Sequence, residues 1–163
     1  MSFHVRRKDK EITDEAQLKK ILRTSKYVTV ALCKDNVPYL VSLSHGYDEE
    51  HHCLYFHCAK EGKKLVYLES NKTVWGQALL DFGPAQEEED CSHLYASVHF
   101  SGKAALIKDL DEKRQAINCM IKQLGKNPEA LMAKLNFDRL KNSAIGRIDI
   151  EYMSGKKSKE VTL

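Results

Sequence analysis

The chain predicts a mainly β protein: six antiparallel strands joined in hairpins and curled into a small barrel, with helices at the edges and crossovers. Three observations carry this. Residues 94–107, LYASVHFSGKAALI, are the longest strand signal, with Leu94, Ala96, Val98 and Phe100 facing one way and Tyr95, Ser97, His99 and Ser101 the other. Residues 144–153, AIGRIDIEYM, alternate as cleanly, predicting Ile148, Ile150 and Tyr152 inward and Arg147, Asp149 and Glu151 outward. Two further runs, 27–34 and 38–47, are joined by Asp35-Asn36-Val37-Pro38, which is turn chemistry and predicts a hairpin.

The remaining elements follow in order. Thr13 is positioned to cap a helix with Asp14 and Glu15 in its first turn and Leu18, Ile21 and Leu22 as its apolar stripe. Residues 48–52, DEEHH, form a turn, and residues 72–82 read as a strand, with a helix over TVWGQALLDF as the alternative. The acidic run Glu87–Asp90 reads as a solvated loop. Gly102 marks a bulge or bend. Asp109 and Glu112 have capping-box spacing ahead of a helix with Ile117, Met120, Ile121 and Leu124 on one face and Gly125 at its end. Asn127-Pro128 opens a second helix, with cap and first-turn proline in the expected order.

The segment 54–68, LYFHCAKEGKKLVYL, is the most informative. It begins as a strand, with Leu54, Phe56 and Cys58 alternating against Tyr55 and His57, breaks at Gly62, and resumes with Leu65 and Leu68 at helical spacing. Lys60, Lys63 and Lys64 occupy the junction. Lysines are unfavourable in the first turn of a helix, where the macrodipole is positive and backbone N–H groups lack partners. An anion, phosphate above all, resolves both conflicts; a solvated lysine cluster on a surface turn is the competing account.

Composition bounds the function classes. The 163 residues suit one domain, 42% are hydrophobic and 30% charged, and the net charge of +3 is too small to argue for nucleic acid. The basic stretch Arg6, Arg7, Lys8, Lys10 and the lysines Lys156, Lys157 and Lys159 lack interleaved aromatics and read as solvated ends. No apolar run reaches membrane-spanning length, and MSFHVRRKDKEI has no apolar segment behind its charges, so a cytoplasmic protein is expected. Five cysteines, an odd count without a CxxC pair, fit reduced thiols. His51, His52 and Cys53 lack zinc-site spacing, and no metal is expected. Trp75 and Tyr95 read as packing aromatics, though each is able to stack on a ring.

Four ordered segments resemble one family. RRKDKEI with its helix (6–25), PYLVSLSHGYD (38–48), LYFHCAKEGKKL (54–65), and YASVHFSGKA with the following helix (95–124) are similar to the FMN-binding split barrels related to pyridoxamine 5′-phosphate oxidase. The ending IGRIDIEYMSGK fits as well, and the pattern is most like the nitroimidazole-resistance (Nim) branch. The resemblance implies a six-stranded antiparallel split β-barrel in a single domain, 1–163, with an N-terminal arm (1–12) and a charged tail (155–163). It implies a homodimer with FMN in two grooves at the interface.

By the same resemblance Val41, Ser42 and Leu43 run beneath the isoalloxazine, although the family commonly has proline where this chain has Ser42. His57 and Ala59 lie along the cofactor, Lys63 and Lys64 at the phosphate, and Ser97 at the cofactor groove. The arginine and histidine pattern with which pyridoxamine-phosphate oxidases hold their substrate is not apparent. The expectation is therefore a reductase passing electrons from reduced flavin to a small nitroaromatic or quinone-like acceptor, with His57 either a proton or hydrogen-bond donor or a residue that only lines the groove. Haem or a deazaflavin in place of FMN, and a non-catalytic haem- or flavin-binding protein on the same barrel, are the alternatives.

Overall fold

A computed structural model describes residues 5–85 and 93–163. The acidic run Glu87–Asp90, Cys91 and His4 lie outside them. The elements are β1 (Glu11–Ile12), α1 (Glu15–Thr24), β2 (Tyr27–Lys34), β3 (Val37–Asp48), β4 (Cys53–Cys58), α2 (Lys63–Ser70), β5 (Thr73–Pro84), β6 (His93–Leu106), α3 (Leu110–Leu124), α4 (Pro128–Ala133), α5 (Phe137–Asn142) and β7 (Ala144–Lys157).

Strands β2–β7 run antiparallel in the order β7-β4-β3-β2-β5-β6, and β6 pairs back onto β7 to close a ring. This is the expected six-stranded split barrel. The two-residue β1 is an addition outside it, pairing with Lys156 and Gly155 of β7. Asp35 and Asn36 both take positive φ, 50° and 63°, the two-residue turn whose twist matches a β2–β3 hairpin.

Alternation sends Val28, Val30, Leu32, Leu43, Leu54, Phe56, Val74, Val98, Phe100 and Ile148 into one core inside the ring, closed at one end by Leu18, Ile21 and Leu22 of α1. A second core forms outside it, where Ala116, Ile117 and Met120 of α3 cover Cys53 and Tyr55 of β4. Tyr55 therefore leaves the simple in/out pattern: β4 is buried on both faces there because α3 lies across it.

Several local expectations need revision. Asp14, not Thr13, caps α1, accepting from the Ala16 N–H at 2.9 Å. Asp109 caps α3 as expected, but Glu112 turns away and pairs with Arg147 at 2.9 Å, so the capping box is only half formed. Leu124 is exposed, since the buried stripe of α3 runs through Ala116, Ile117 and Met120. Tyr152 faces outward, not inward. Ser101 pairs with Tyr152 while Gly102 pairs with Ile150, so Glu151 is an extra residue that reverses the parity of the rest of β7. Gly102 is required at this bulge, because a Cβ there would lie 1.9 Å from the Asp149 carbonyl oxygen.

The tail also differs from a solvated end. Strand β7 continues to Lys157, Gly155 lies against Leu18, and Val161 joins the core. Lys157 donates to the Val161 carbonyl at 2.6 Å.

Three elements meet at a fully buried imidazole. His45 Nε2 donates to the Leu22 carbonyl of α1 at 2.9 Å. Gln123 of α3 donates to the Leu22 and Ser25 carbonyls at 2.9 and 3.0 Å and accepts from the Tyr47 N–H at 2.8 Å. His45 Nδ1 is buried with no partner among the described residues. A proton on it would have neither water nor an acceptor, and burial holds the His45 pKa below its ordinary value. The unfolded chain then binds more protons than the native one below the unfolded value of about 6.5. Stability is accordingly full above that pH and declines as the pH falls toward the lower folded value. Urea unfolding at a series of pH values checks this: the loss between pH ~6.5 and ~5 should shrink in His45→Asn, and an unchanged slope would remove His45 as its source.

Candidate functional site

The site is built where β3 and β4 part. Their ladder runs from Asp48↔Cys53 to His45↔Phe56 and stops there. Strand β3 continues on β2 from Ser44 to Val37, while β4 continues on β7 to Cys58. The edge of β3 facing β4 is thus unpaired on this ladder from Ser44 onward, and α2 fills the opening. Leu65, Tyr67 and Leu68 bury into it, and Tyr67 packs on Tyr39 with ring centroids 5.3 Å apart.

Gly62, at φ 125°, turns the chain from β4 into α2, a conformation that side chains other than glycine rarely adopt. The first turn of α2 contains no acidic residue. Lys63 and Lys64 follow immediately and diverge. Lys63 is exposed, its ammonium 4.6 Å from the Tyr39 ring centroid and 5.5 Å from that of Tyr67. Lys64 reaches inward, its ammonium 5.3 Å from the Phe56 ring centroid, and lines a small enclosed cavity with Val41, Leu43 and Leu68. Neither lysine has a carboxylate partner among the ion pairs of the described residues. Partial burial pulls the Lys64 pKa below the ordinary lysine value, with Cys58 nearby opposing the shift.

The structure therefore gathers Val41, Leu43, Lys63 and Lys64 around one opening. Val41 and Leu43 face the barrel interior, whereas Ser42 faces out, its hydroxyl 3.4 Å from that of Thr29. Ala59 is exposed in the turn between β4 and α2. His57 is exposed at the end of β4, on the face opposite Phe56. Continuing the lost β3–β4 register would set it against Ser44, on the same outer face as Ser42. Partial desolvation lowers the His57 pKa, so the ring is neutral at pH 7 and suited to hydrogen bonding more than to proton donation.

Ser97 is not part of this opening within one chain. It lies on β6, separated from β3 by β5 and β2, and is buried with its hydroxyl 3.5 Å from the Lys156 carbonyl. Among the described residues no cluster of histidine, cysteine or carboxylate side chains is arranged to hold a metal. The four described cysteines are free thiols, and burial pushes those of Cys53 and Cys119 up to about 11, which keeps them protonated.

Sequence reasoning missed a second group on the outer face. Trp75 and Tyr152 meet edge to face, centroids 6.1 Å apart, in an open cavity they share with Arg6, His99, Ser154 and Lys156. The parity change at Glu151 hid Tyr152 from the alternation pattern.

The family model for pyridoxamine 5′-phosphate oxidase matches residues 14–157. The chain belongs to that family. Among solved structures, a candidate 5-nitroimidazole antibiotic resistance protein from Bacteroides thetaiotaomicron superposes with TM-score 0.79 at 23% identity, covering 90% of this chain and 86% of the other. The flavocytochrome Anf3 from Azotobacter vinelandii gives 0.79 at 20% identity over 98% and 75% of the two chains. An FAD and haem binding protein from Mycobacterium smegmatis gives 0.77 at 20% over 92% and 74%. At these identities the likeness establishes the fold that this oxidase family shares. No curated protein matches the sequence. Among the described residues no helix is long and apolar enough to cross a membrane.

Lys64 leads to a prediction about stability. A partly buried ammonium against apolar walls, with no carboxylate opposite, is less favourable than an apolar chain of similar length. Because Lys64 retains contact with solvent, the difference is discounted to about 0.5–1 kcal/mol. Lys64→Met should raise the urea midpoint by a corresponding amount; a lower midpoint would show that the ammonium is held by a stabilising contact.

Proposed function

We propose that this protein is a flavoprotein that binds FMN at the β3–β4 opening and passes electrons from reduced flavin to a small acceptor, a nitroaromatic or quinone-like compound. One observation carries the binding claim. Two adjacent lysines stand at the start of α2, next to the unpaired β3 edge, with no acid on the first helical turn and no carboxylate in salt-bridge range. Such a site suits a dianionic phosphate. Membership of the pyridoxamine 5′-phosphate oxidase family supports the same reading.

The residues fit the group. Lys63 and the N–H groups at the start of α2 hold the phosphate, and Lys64 adds charge from the inner side. The free backbone edge of β3 near Ser42 and Ser44 offers hydrogen bonds to a planar polar ring. Flavin supplies two-electron redox chemistry when bound. His57, neutral at pH 7, hydrogen-bonds an acceptor and stabilises the charge that develops on it. Its protonated fraction grows as the pH falls, so proton donation by His57 favours the acid side.

A second copy of the chain completes the groove. Tyr27, Leu40 and Leu79 are 61%, 65% and 53% exposed, and alternation sets them on the outer face of β2, β3 and β5. Apolar side chains so placed suit a two-fold interface. Ser97, three strands from β3 in its own chain, reaches a flavin only if the partner's groove is brought to it. The free thiols fit a reducing, cytoplasmic setting.

Three measurements test this reading. Lys63→Ala with Lys64→Ala should weaken FMN by roughly two orders of magnitude or more, at about 1.5–3 kcal/mol per charged contact, and should affect riboflavin little. Equal losses for both ligands would refute the phosphate assignment. Sedimentation of flavin-loaded protein at low micromolar concentration should give a dimer, and a monomer that retains flavin would overturn the shared groove. In rapid mixing with a nitroimidazole, pre-reduced protein should oxidise faster than free reduced FMN, and His57→Gln should slow it. Equal rates in the two proteins would leave the reductase standing and remove His57 from it; protein no faster than free flavin would leave a binding role only.

A further inference from the structure

Lys63 is held in place without an opposing charge. Its ammonium lies 4.6 Å from the Tyr39 ring centroid and 5.5 Å from that of Tyr67. The two rings pack on each other at 5.3 Å, with 58° between their planes. Both ammonium distances are within the range over which a ring face attracts a cation. Among the described residues no carboxylate pairs with Lys63.

The arrangement has a local and a tertiary half. Tyr67 follows Lys63 by four residues on α2, so the two side chains share one helix face. Tyr39 comes from β3, where it pairs with Leu32 of β2 and faces the same side as Val41 and Leu43. Tyr67 is buried and Tyr39 half-buried, so packing fixes both rings. Folding alone brings Tyr39 to the start of α2.

The consequence differs from that of an ion pair. A carboxylate would fix Lys63 as well, but it would cancel the charge that an anionic ligand needs and would occupy ammonium N–H groups. A ring face attracts a cation through its quadrupole and carries no net charge. The ammonium has three N–H donors, and a ring takes only one side of it. The remaining donors stay available at the β3–β4 opening. A lysine stem left free loses much rotamer freedom on meeting a ligand; a stem already laid against rings loses less.

We propose that Tyr39 is a positioning residue for the flavin phosphate: its ring, braced by Tyr67, holds the Lys63 ammonium in place for the phosphate without neutralising it. This rests on the flavin reading above and extends it to a side chain that acts through Lys63.

The test compares affinities for FMN and riboflavin, measured on the full chain by quenching of flavin fluorescence, because only FMN carries the phosphate. Wild type should prefer FMN. Tyr39→Leu should weaken FMN about three- to fivefold and riboflavin by less than about twofold. Tyr39→Phe, which keeps the ring, should retain the wild-type ratio. Pentafluorophenylalanine at position 39 keeps the ring shape but inverts its quadrupole, so it should lower the ratio as leucine does. Comparison of the two ring variants decides the question even if Tyr39→Leu fails to fold. In a Lys63→Ala background none of these changes should alter the ratio, since the ring then has no cation to hold. A merely structural role for Tyr39 would weaken both ligands together. A ratio unmoved by leucine and by the fluorinated ring, or moved equally with and without Lys63, would overturn the inference and leave the phosphate site standing. Wild type with no preference for FMN would remove the phosphate site, and the role of Tyr39 with it.

Discussion

The barrel depends on closure by its last strand. β7 pairs with β4 from Ala144 to Asp149 and with β6 from Gly146 to Lys157, so one fourteen-residue strand joins the two ends of an otherwise open sheet. Closure removes the exposed edges that an open antiparallel sheet presents. It also forces curvature, which is concentrated at the bulge between Gly102 and Glu151. A Cβ at residue 102 would collide with the Asp149 carbonyl, so the bend and the glycine require each other. The core follows from that geometry: closure brings Ile148 and Ile150 of β7 into one cluster with Val28 and Val30 of β2 and Phe100 of β6.

Closing the ring on one side makes parting on the other possible. β3 is paired to β2 over its first half and to β4 over its second, and the change of partner opens the wall beside Ser44. The opening is filled by α2, whose apolar side completes the core while its N-terminal end holds two lysines with no carboxylate partner among the described residues. The candidate site is the part of the barrel where regular pairing fails, and the local rules that Lys63 and Lys64 violate are violated there. Elsewhere the helix starts follow the usual rule: Asp14, Asp109 and Asn127 each accept a first-turn N–H of α1, α3 and α4.

The outer face is divided by what covers it. α3 seals β4 and the end of β3, and the Gln123 and His45 hydrogen bonds tie α3 to α1 across the sheet. Gly46 allows the close approach, since a Cβ there would meet the Met120 backbone at 2.6 Å. Among the described residues no helix covers β2, the first half of β3 or β5 in this way, and Tyr27, Leu40 and Leu79 are exposed. One sheet thus presents a sealed region, an apolar region and the aromatic-cationic cavity near Trp75.

Much of this was legible in the sequence because it rests on local pattern. Period-two alternation marked β4, β6 and β7, Asp35-Asn36 marked the β2–β3 hairpin, and the lysines after Gly62 marked the candidate site, since cations in a first helical turn conflict with the helix dipole whatever the fold. The tertiary structure alone decided how these pieces face. It separated Lys63, lying over Tyr39, from Lys64, which turns inward beside Phe56; adjacent residues on a helix point about 100° apart, and only packing shows which one meets the core. It placed Ser97 away from the opening, because distance around a ring is set by strand order and not by sequence. It turned Tyr152 outward, since one inserted residue reverses alternation and nothing in the local pattern announces on which strand the insertion lies. It drew the charged tail into the wall, because Lys156 and Lys157 gain backbone partners on β6 that no local propensity could reveal.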